Sequence, residues 1–425
     1  MNLKRSFVLF VSLLFLNLLS AEGKILAIED AVRLAKENNI SVKTAENNLD
    51  SLAVQNKYSW NSVSPAAKLD GKFVDDIEND STAFSLSGAV NLSLKTNLYS
   101  EIKGAKLNYE KGLLTYSEAV RQIELSVRKK FYNLIYQKEN LVLQNRSLET
   151  SRAQYLNNEE KFKNGKISEL DAFTSRVNYE SKKPVVESAE INFQNDLASF
   201  KQLLGIPQET EIALDGSLDD FLNLKEISFG LLPKVDEPAP DVKSAEYDVE
   251  IAKNSLLNLR FSAYAPVITG SYSYGKSKKS MQDDWMTTNQ LSVGVSVPLD
   301  GILPWSSSAV KIKEQKNALD TAEKVLEDAK TTVAVQTESY IRKINQAVKQ
   351  LDSLKSTEEL ANQTYQMTLT AYNYGKTDFL SLQNANDSVL SAGVNLKSQA
   401  YTLISTILDL ESVLGLEFGT LETKK

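Results

Sequence analysis

At 425 residues, 42% of them hydrophobic and 24% charged, the chain is long enough for two or three domains with sizeable cores, and its composition is globular rather than disordered. A formal charge of −7, about −9 once Lys4 and Arg5 leave with a leader, supplies no basic stripe, so nucleic acid is not an expected partner. His and Cys are both absent, which removes the commonest general base, the commonest zinc ligand, the thiol nucleophile and all disulfides. No GxSxG pattern replaces them, and neither catalysis nor a cofactor is expected.

The first residues, MNLKRSFVLFVSLLFLNLLSAEG, combine a short basic region, an apolar run from Phe7 to Leu19 and a small-residue end at Ser20 and Ala21. This is the pattern of a secretory signal peptide over residues 1–21, and the run is too short to span a bilayer as a helix. A helical stretch rich in Ala, Glu, Lys and Asn is expected from Ile28 to Trp60, ending before Ser64-Pro65. Two strands follow. The weaker carries Leu69, Gly71 and Phe73. The stronger is FSLSGAVNLSL, where Phe84, Leu86, Val90, Leu92 and Leu94 share one parity and Ser85, Ser87, Asn91 and Ser93 the other. From Tyr99 to Asn164 no proline occurs, and one helix of that length reaches roughly 100 Å.

That helix must end at KFKNGKISEL, where Gly165 supplies the left-handed residue after a helix C-terminus and Ser168 is a good N-cap for a returning helix, with Asp171 a favourable carboxylate in its first turn. Pro184 interrupts the returning helix, and a kink there is the expectation. Residues 207–240, with Pro207, Pro233 and Pro238, read as a linker.

The chain then repeats itself. VKTAE at Val42 returns as VKSAE at Val242, Pro65 as Pro266, LSGAVNLSL at Leu86 as LSVGVSVPL at Leu291, and the turn signature as AYNYGKTDFL, with Gly375, Lys376 and the N-cap Asp378. The second copy therefore has a helix from Asp241 to Phe261, a strand through Ile268, Gly270, Tyr272 and Tyr274, and a strand in which Leu291, Val293, Val295, Val297 and Leu299 alternate with polar residues and glycine. A long helix from Ser306 to Tyr374 carries a narrow coiled-coil seam through Leu319, Ala322, Leu326, Ala329, Val333, Tyr340, Ile344, Ala347, Leu351 and Leu354. The domain reading is a leader (1–21), a first repeat (22–206), an inter-repeat linker (207–240), a second repeat (241–418) and a tail (419–425).

Amphipathic strands in an exported chain point to a barrel, because open edges cannot lie in hydrocarbon. Four strands are too few to close one, so several copies must share it. In that reading Phe84, Leu86, Val90, Leu92 and Val293 face lipid. Trp60, Phe261, Tyr99 and Trp305 fit either an interfacial aromatic belt or plugs at the helix-to-strand corners.

AIEDAVRLAKENN, APDVKSAEYDVEIAK, VSVPLDG, the twin GK turns and LLGIP resemble, in order and over essentially the whole mature chain, the TolC-family outer membrane efflux proteins. The resemblance implies a mainly α fold with a small β part: a homotrimer whose protomers each give four strands to a 12-stranded transmembrane β-barrel, continuous with a periplasmic α-barrel tunnel. It implies a passive duct of an efflux or type I secretion system, set in outer-membrane lipid with its tunnel in the periplasm. Its partners would be a periplasmic adaptor (membrane fusion) protein and an inner-membrane transporter.

By the same resemblance, Gly165, Lys166, Ser168, Gly375, Lys376 and Asp378 lie at the adaptor-docking tip, and the linker region contributes to an equatorial collar. Asp171, Tyr372, Ser381 and Asn384 lie at the periplasmic constriction. Ser381, Asn384 and Thr377 stand where some members have acidic residues and an arginine, so an acidic ring does not carry over. The competing readings are an exported coiled-coil scaffold or adaptor, which leaves the strands without a role, and an envelope hydrolase, which the missing His and Cys oppose. Met281, Met286 and Met367 form no metal-ligand cluster, so a dedicated copper duct gains no support.

Overall fold

A computed structural model describes residues 24–77, 81–223, 238–279 and 283–421. The expected signal peptide, the linker stretch with Pro233 and the end of the expected tail lie outside the described residues. The elements run β1 (Lys24–Leu26), α1 (Ile28–Asn38), α2 (Ile40–Lys57), a 3₁₀ turn (Ser59–Val63), β2 (Ala66–Asp76), β3 (Ser81–Lys95), α3 (Leu98–Lys163), α4 (Glu169–Leu204) and β4 (Ile212–Leu214), followed by a second 3₁₀ turn (Asp219–Asn223). They continue with α5 (Pro240–Tyr264), β5 (Val267–Lys278), β6 (Met286–Ser296), a 3₁₀ turn (Asp300–Ile302), α6 (Ser307–Asn373) and α7 (Phe379–Leu414). The order helix, strand pair, long helix, returning helix thus occurs twice. The long helices have 66 and 67 residues and the returning helices 36 each.

The chain divides into two compact units. One comprises Met1–Thr44, Glu118–Ala239 and Ala334–Lys425, the other Ala45–Ser117 and Pro240–Val333.

The core of the first unit gathers Val127, Phe131 and Leu134 of α3, Phe200 and Leu204 of α4, Ile344 and Leu351 of α6, and Leu403, Ile404 and Ile407 of α7. Phe131 meets Phe200 at 6.3 Å between ring centroids, and Tyr132 meets Phe221 edge-on at 5.4 Å. Helix α1 lays Ala31, Val32 and Ala35 on this core, and β1 pairs in parallel with β4, Leu26 opposite Leu214. Both buried Glu411 oxygens accept backbone N–H groups, from Gly419 and Leu421, and Arg121 reaches the carbonyls of Glu411 and Leu416; together they fasten the chain end to α3. The sequence-predicted seam of α6 is observed: Ile344, Ala347 and Leu351 are buried and every other seam residue is partly covered.

In the second unit β2, β3, β5 and β6 form one antiparallel sheet in that order, and among the described residues no strand pairs with the outer edges of β2 and β6. Asn97 donates to Asn258 at 2.7 Å and Asn254 to the carbonyl of Ser100 at 2.8 Å, clamping the start of α3 to α5 beside the strands.

Three expectations need correction. The first helical stretch is broken at Asn39, whose side chain donates to the Leu203 carbonyl at 2.8 Å and accepts from the Ser41 N–H at 2.8 Å. The amide thereby offers the backbone an alternative to continuous helix, and Trp60 lies beyond it in a 3₁₀ turn. Pro184 does not interrupt α4, which runs through it from Glu169 to Leu204. The last strand ends at Ser296 rather than Leu299, because Pro298 has no N–H for a ladder.

Candidate functional site: twin turns and an amphipathic sheet

The two turn signatures fold alike, and the reason is local. At the end of α3 the N–H of Gly165 donates to the carbonyl of Phe162 and that of Lys166 to Lys161, both at 2.8 Å. At the end of α6 the N–H of Gly375 donates to Tyr372 at 3.0 Å and that of Lys376 to Ala371 at 2.9 Å. These paired bonds need a left-handed residue, which glycine adopts freely: φ is 64° at Gly165 and 70° at Gly375.

Each returning helix is then capped as expected. The Ser168 hydroxyl accepts from the N–H of Asp171 at 3.1 Å and donates to its carboxylate at 2.7 Å. Asp378 accepts from the N–H of Ser381 at 2.7 Å. That bond to Ser381 holds the exposed Asp378 carboxyl below its ordinary value.

Of the sequence-derived tip residues, Gly165, Lys166, Ser168, Gly375, Lys376 and Asp378 are exposed on these turns, as are Ser381 and Asn384 on the first turns of α7. Asp171 and Tyr372 are not hydrogen-bonded to each other. Asp171 is held by Ser168, while Tyr372 donates to Asn158 at 2.7 Å, lies 6.0 Å from the Phe379 ring and carries the Lys161 ammonium 4.7 Å above its face. Burial pushes the Tyr372 hydroxyl above its ordinary value.

Two features near the turns escaped the sequence reading. Leu170, Phe173, Tyr374 and Leu380 leave more than half of their surface exposed, giving the turn ends an apolar character. Behind them the interior is polar: Ser147, Ser151, Gln154 and Asn158 of α3 are buried, with Ser175 and Asn178 of α4 and Asn386 of α7. Lys182 joins this layer, donating to Ser147 at 2.8 Å and pairing with Asp387 at 2.7 Å. The spacing of 147, 151, 154 and 158 is itself a seam period and was the available signal.

The sheet of the second unit sorts its residues by face through its register. One row pairs Leu94 with Ile268 and Ile268 with Val295. The next pairs Leu92 with Gly270 and Gly270 with Val293, and another sets Ala67, Val90, Tyr272 and Leu291 side by side. Phe84 and Leu86 continue the same face beside Phe73 and Gly71. The opposite face carries Ser85, Ser87, Asn91 and Ser93, then Thr269, Ser271 and Ser273, then Gln290 and Ser292. On the apolar face Leu291 and Val293 are each 75% exposed, so no described residue covers it at β6.

Among the described residues no helix is long and apolar enough to cross a membrane. That observation does not bear on strands, which cross as closed barrels.

Residues 231–416 match the family model described as Outer membrane efflux protein. No curated protein matches the chain by sequence. Among solved structures, it is similar to the CmeC outer membrane channel of Campylobacter jejuni, with a TM-score of 0.78 at 18% identity over 91% of this chain and 85% of that one. The outer membrane protein VceC of Vibrio cholerae superposes with a TM-score of 0.73 at 12% identity, over 92% of this chain and 96% of that one. The open state of the Neisseria gonorrhoeae MtrE outer membrane channel gives 0.67 at 17% identity, over 92% and 89%. The second part of the chain thus matches the outer membrane efflux protein model, and the chain as a whole carries the fold of these outer-membrane channels, as the resemblance read from its residues implies.

Proposed function

We propose that the protein is the outer-membrane exit duct of a tripartite efflux or type I secretion assembly, through which substrates handed over in the periplasm pass outward without energy input at this step. The observation that carries the reading is the sheet: four antiparallel strands with one face uncharged except at its hairpin end, a hydroxyl-rich opposite face and two outer edges without a partner strand among the described residues. In hydrocarbon those edges must be paired, and four strands fall short of the smallest closed barrel, so identical copies supply the rest. Three copies give twelve strands, with Phe84, Leu86, Val90, Leu92 and Val293 toward lipid and the hydroxyl-rich face toward water. The matching fold of outer-membrane channels from three bacteria supports the same reading.

The turn ends are proposed as the docking surface for a periplasmic adaptor, which brings an inner-membrane transporter. Gly165, Lys166, Ser168, Gly375, Lys376 and Asp378 give it a rigid polar rim, and Leu170, Phe173, Tyr374 and Leu380 an apolar centre. Asp171, Tyr372, Ser381 and Asn384 are proposed to line the narrowest part of the duct. An exported scaffold would use the helices but leave an uncovered apolar sheet face without a purpose.

Carbonate extraction of isolated envelopes, followed by planar-bilayer recording of the purified protein, tests the duct. Retention in the outer membrane with discrete conductance is the expected result, and a chain that washes off or conducts nothing rejects it. Gly165→Glu with Gly375→Glu should abolish export while leaving membrane insertion intact; unchanged export removes the docking assignment alone.

A further inference from the structure

The apolar face of the sheet ends in two cations. On β5 the residues of that face are Ile268, Gly270, Tyr272, Tyr274, Lys276 and Lys278, so the strand is uncharged for its first four positions and doubly positive at the last two. Lys276 stands opposite Leu86 and Thr287, and Lys278 opposite Phe84. Both lie at the hairpin end of the sheet, remote from the junctions with α3, α5 and α6.

Beside them Phe84 meets Trp285 edge-on at 5.6 Å, and the Lys278 ammonium lies 5.4 Å from the centre of the Trp285 ring. The nearest acidic positions in sequence and register are Asp283 and Asp284, which precede Trp285, and Asp75, which shares the face two strands away opposite Thr82. Among the described residues no carboxylate pairs with Lys276 or Lys278.

Depth decides what these cations meet. At about 3.4 Å per residue and a tilt near 40°, Lys276 and Lys278 lie roughly 21 and 26 Å above Ile268, at the upper boundary of an apolar band about 25 Å tall. A lysine on a lipid-facing surface extends its ammonium toward the headgroups, where an aromatic girdle also lies. Two ammonium groups with stems about 7 Å apart on one strand are close enough for a single phosphate to accept from both.

We propose that Lys276 and Lys278, with Trp285 and Phe84 as the apolar wall, form a binding site for a phosphate-bearing lipid of the outer leaflet. The phosphate lies between the ammonium groups, and an acyl chain runs down over Tyr272 and Leu291. This rests on the membrane-spanning reading of the sheet.

The test is lipid retention. The assembled protein is equilibrated in phosphatidylcholine vesicles doped with bis-phosphorylated lipid A or with its dephosphorylated counterpart, extracted, and its bound lipid counted by native mass spectrometry. The wild type should favour the phosphorylated lipid by about tenfold or more, since each surface lysine contributes appreciable attraction to an anionic headgroup. Lys276→Gln with Lys278→Gln should lose that preference while still inserting and conducting, and the double arginine variant should keep it. A glutamine variant with the wild-type preference, or displacement of the lipid by inorganic phosphate at equal concentration, overturns the proposal. Insertion and conductance without any preference in the wild type overturns this inference alone, whereas a chain that never inserts overturns the duct reading as well.

Discussion

At the scale of single residues, glycines with the same backbone angle do different work. Gly165 has open space where a Cβ would stand, so Gly165→Ala carries only the left-handed strain of roughly 1–2 kcal/mol. At Gly205, φ 68°, a Cβ would lie 2.8 Å from the carbonyl oxygen of Asn38, backbone that cannot swing aside. Gly205→Ala should therefore lower the melting temperature in detergent clearly more than Gly165→Ala, and equal shifts would contradict the close approach of α1 and α4. Charge gives a second test. Burial alone raises the Glu124 carboxyl, but hydrogen bonds from Lys36 and Arg128 outweigh it and hold Glu124 below its ordinary value of 4.5. Such a group stabilises the fold above its unfolded pKa and loses that contribution as pH falls through the lowered folded value. Glu124→Gln should thus cost about 1.5–3 kcal/mol at pH 7 in thermal unfolding, and the gap to wild type should close in acid. A gap independent of pH would assign the loss to packing. Both devices differ in legibility. The caps at Ser168 and Asp378 could be read from the sequence because their partners lie three residues away, whereas the break at Asn39 depends on the Leu203 carbonyl, 164 residues distant.

At the scale of elements, alternation was the most readable signal and the short pairings the least. Residues 84–94 alternate so regularly that parity alone separates the faces, and the register of all four strands obeys it. Strands β1 and β4 have three residues each, too few for any period, and exist because Leu26 and Leu214 both reach a core built from distant helices. The buried Ser147, Ser151, Gln154 and Asn158 were hidden for another reason: polar residues on a long helix read as its wet face unless their spacing is counted. The faces of β6 supply a sharp contrast. Val293→Arg places a charge in the middle of the uncovered apolar face and should weaken folding into bilayers by about 2–4 kcal/mol, while Ser292→Arg, one residue away on the opposite face, should fold nearly as well as wild type. The readout is the fraction of heat-modifiable, membrane-inserted protein on a gel after refolding into vesicles. If both variants insert equally, neither face meets lipid.

At the scale of the molecule, the unanswered demand of the structure is the pair of bare sheet edges. A free β2 and a free β6 each present a row of backbone donors and acceptors, and a soluble protein blunts such edges with bulges, prolines or a covering helix. Here β2 is 11 residues of regular strand and β6 another 11, without proline in either. The arrangement is economical only if β6 of one copy pairs with β2 of the next, a head-to-tail contact that closes into a ring after a fixed number of copies. Twelve strands from three chains is the closure proposed here, and the absence of cysteine from the sequence makes it simple to test. Asp70→Cys on β2 combined in turn with Gln290→Cys, Ser292→Cys or Gly294→Cys on β6 samples successive positions along the edge. Within one protomer β3 and β5 intervene between β2 and β6, so an internal disulfide between these sites is out of reach. Mild oxidation in the membrane should give, for at least one pair, a ladder on a denaturing gel that stops at the trimer, reversed by reductant. A ladder running past three copies would mean an open chain of subunits rather than a ring. Monomer throughout would leave the edges bare in hydrocarbon, a state the desolvation of unpaired backbone groups forbids, and would sink the shared barrel.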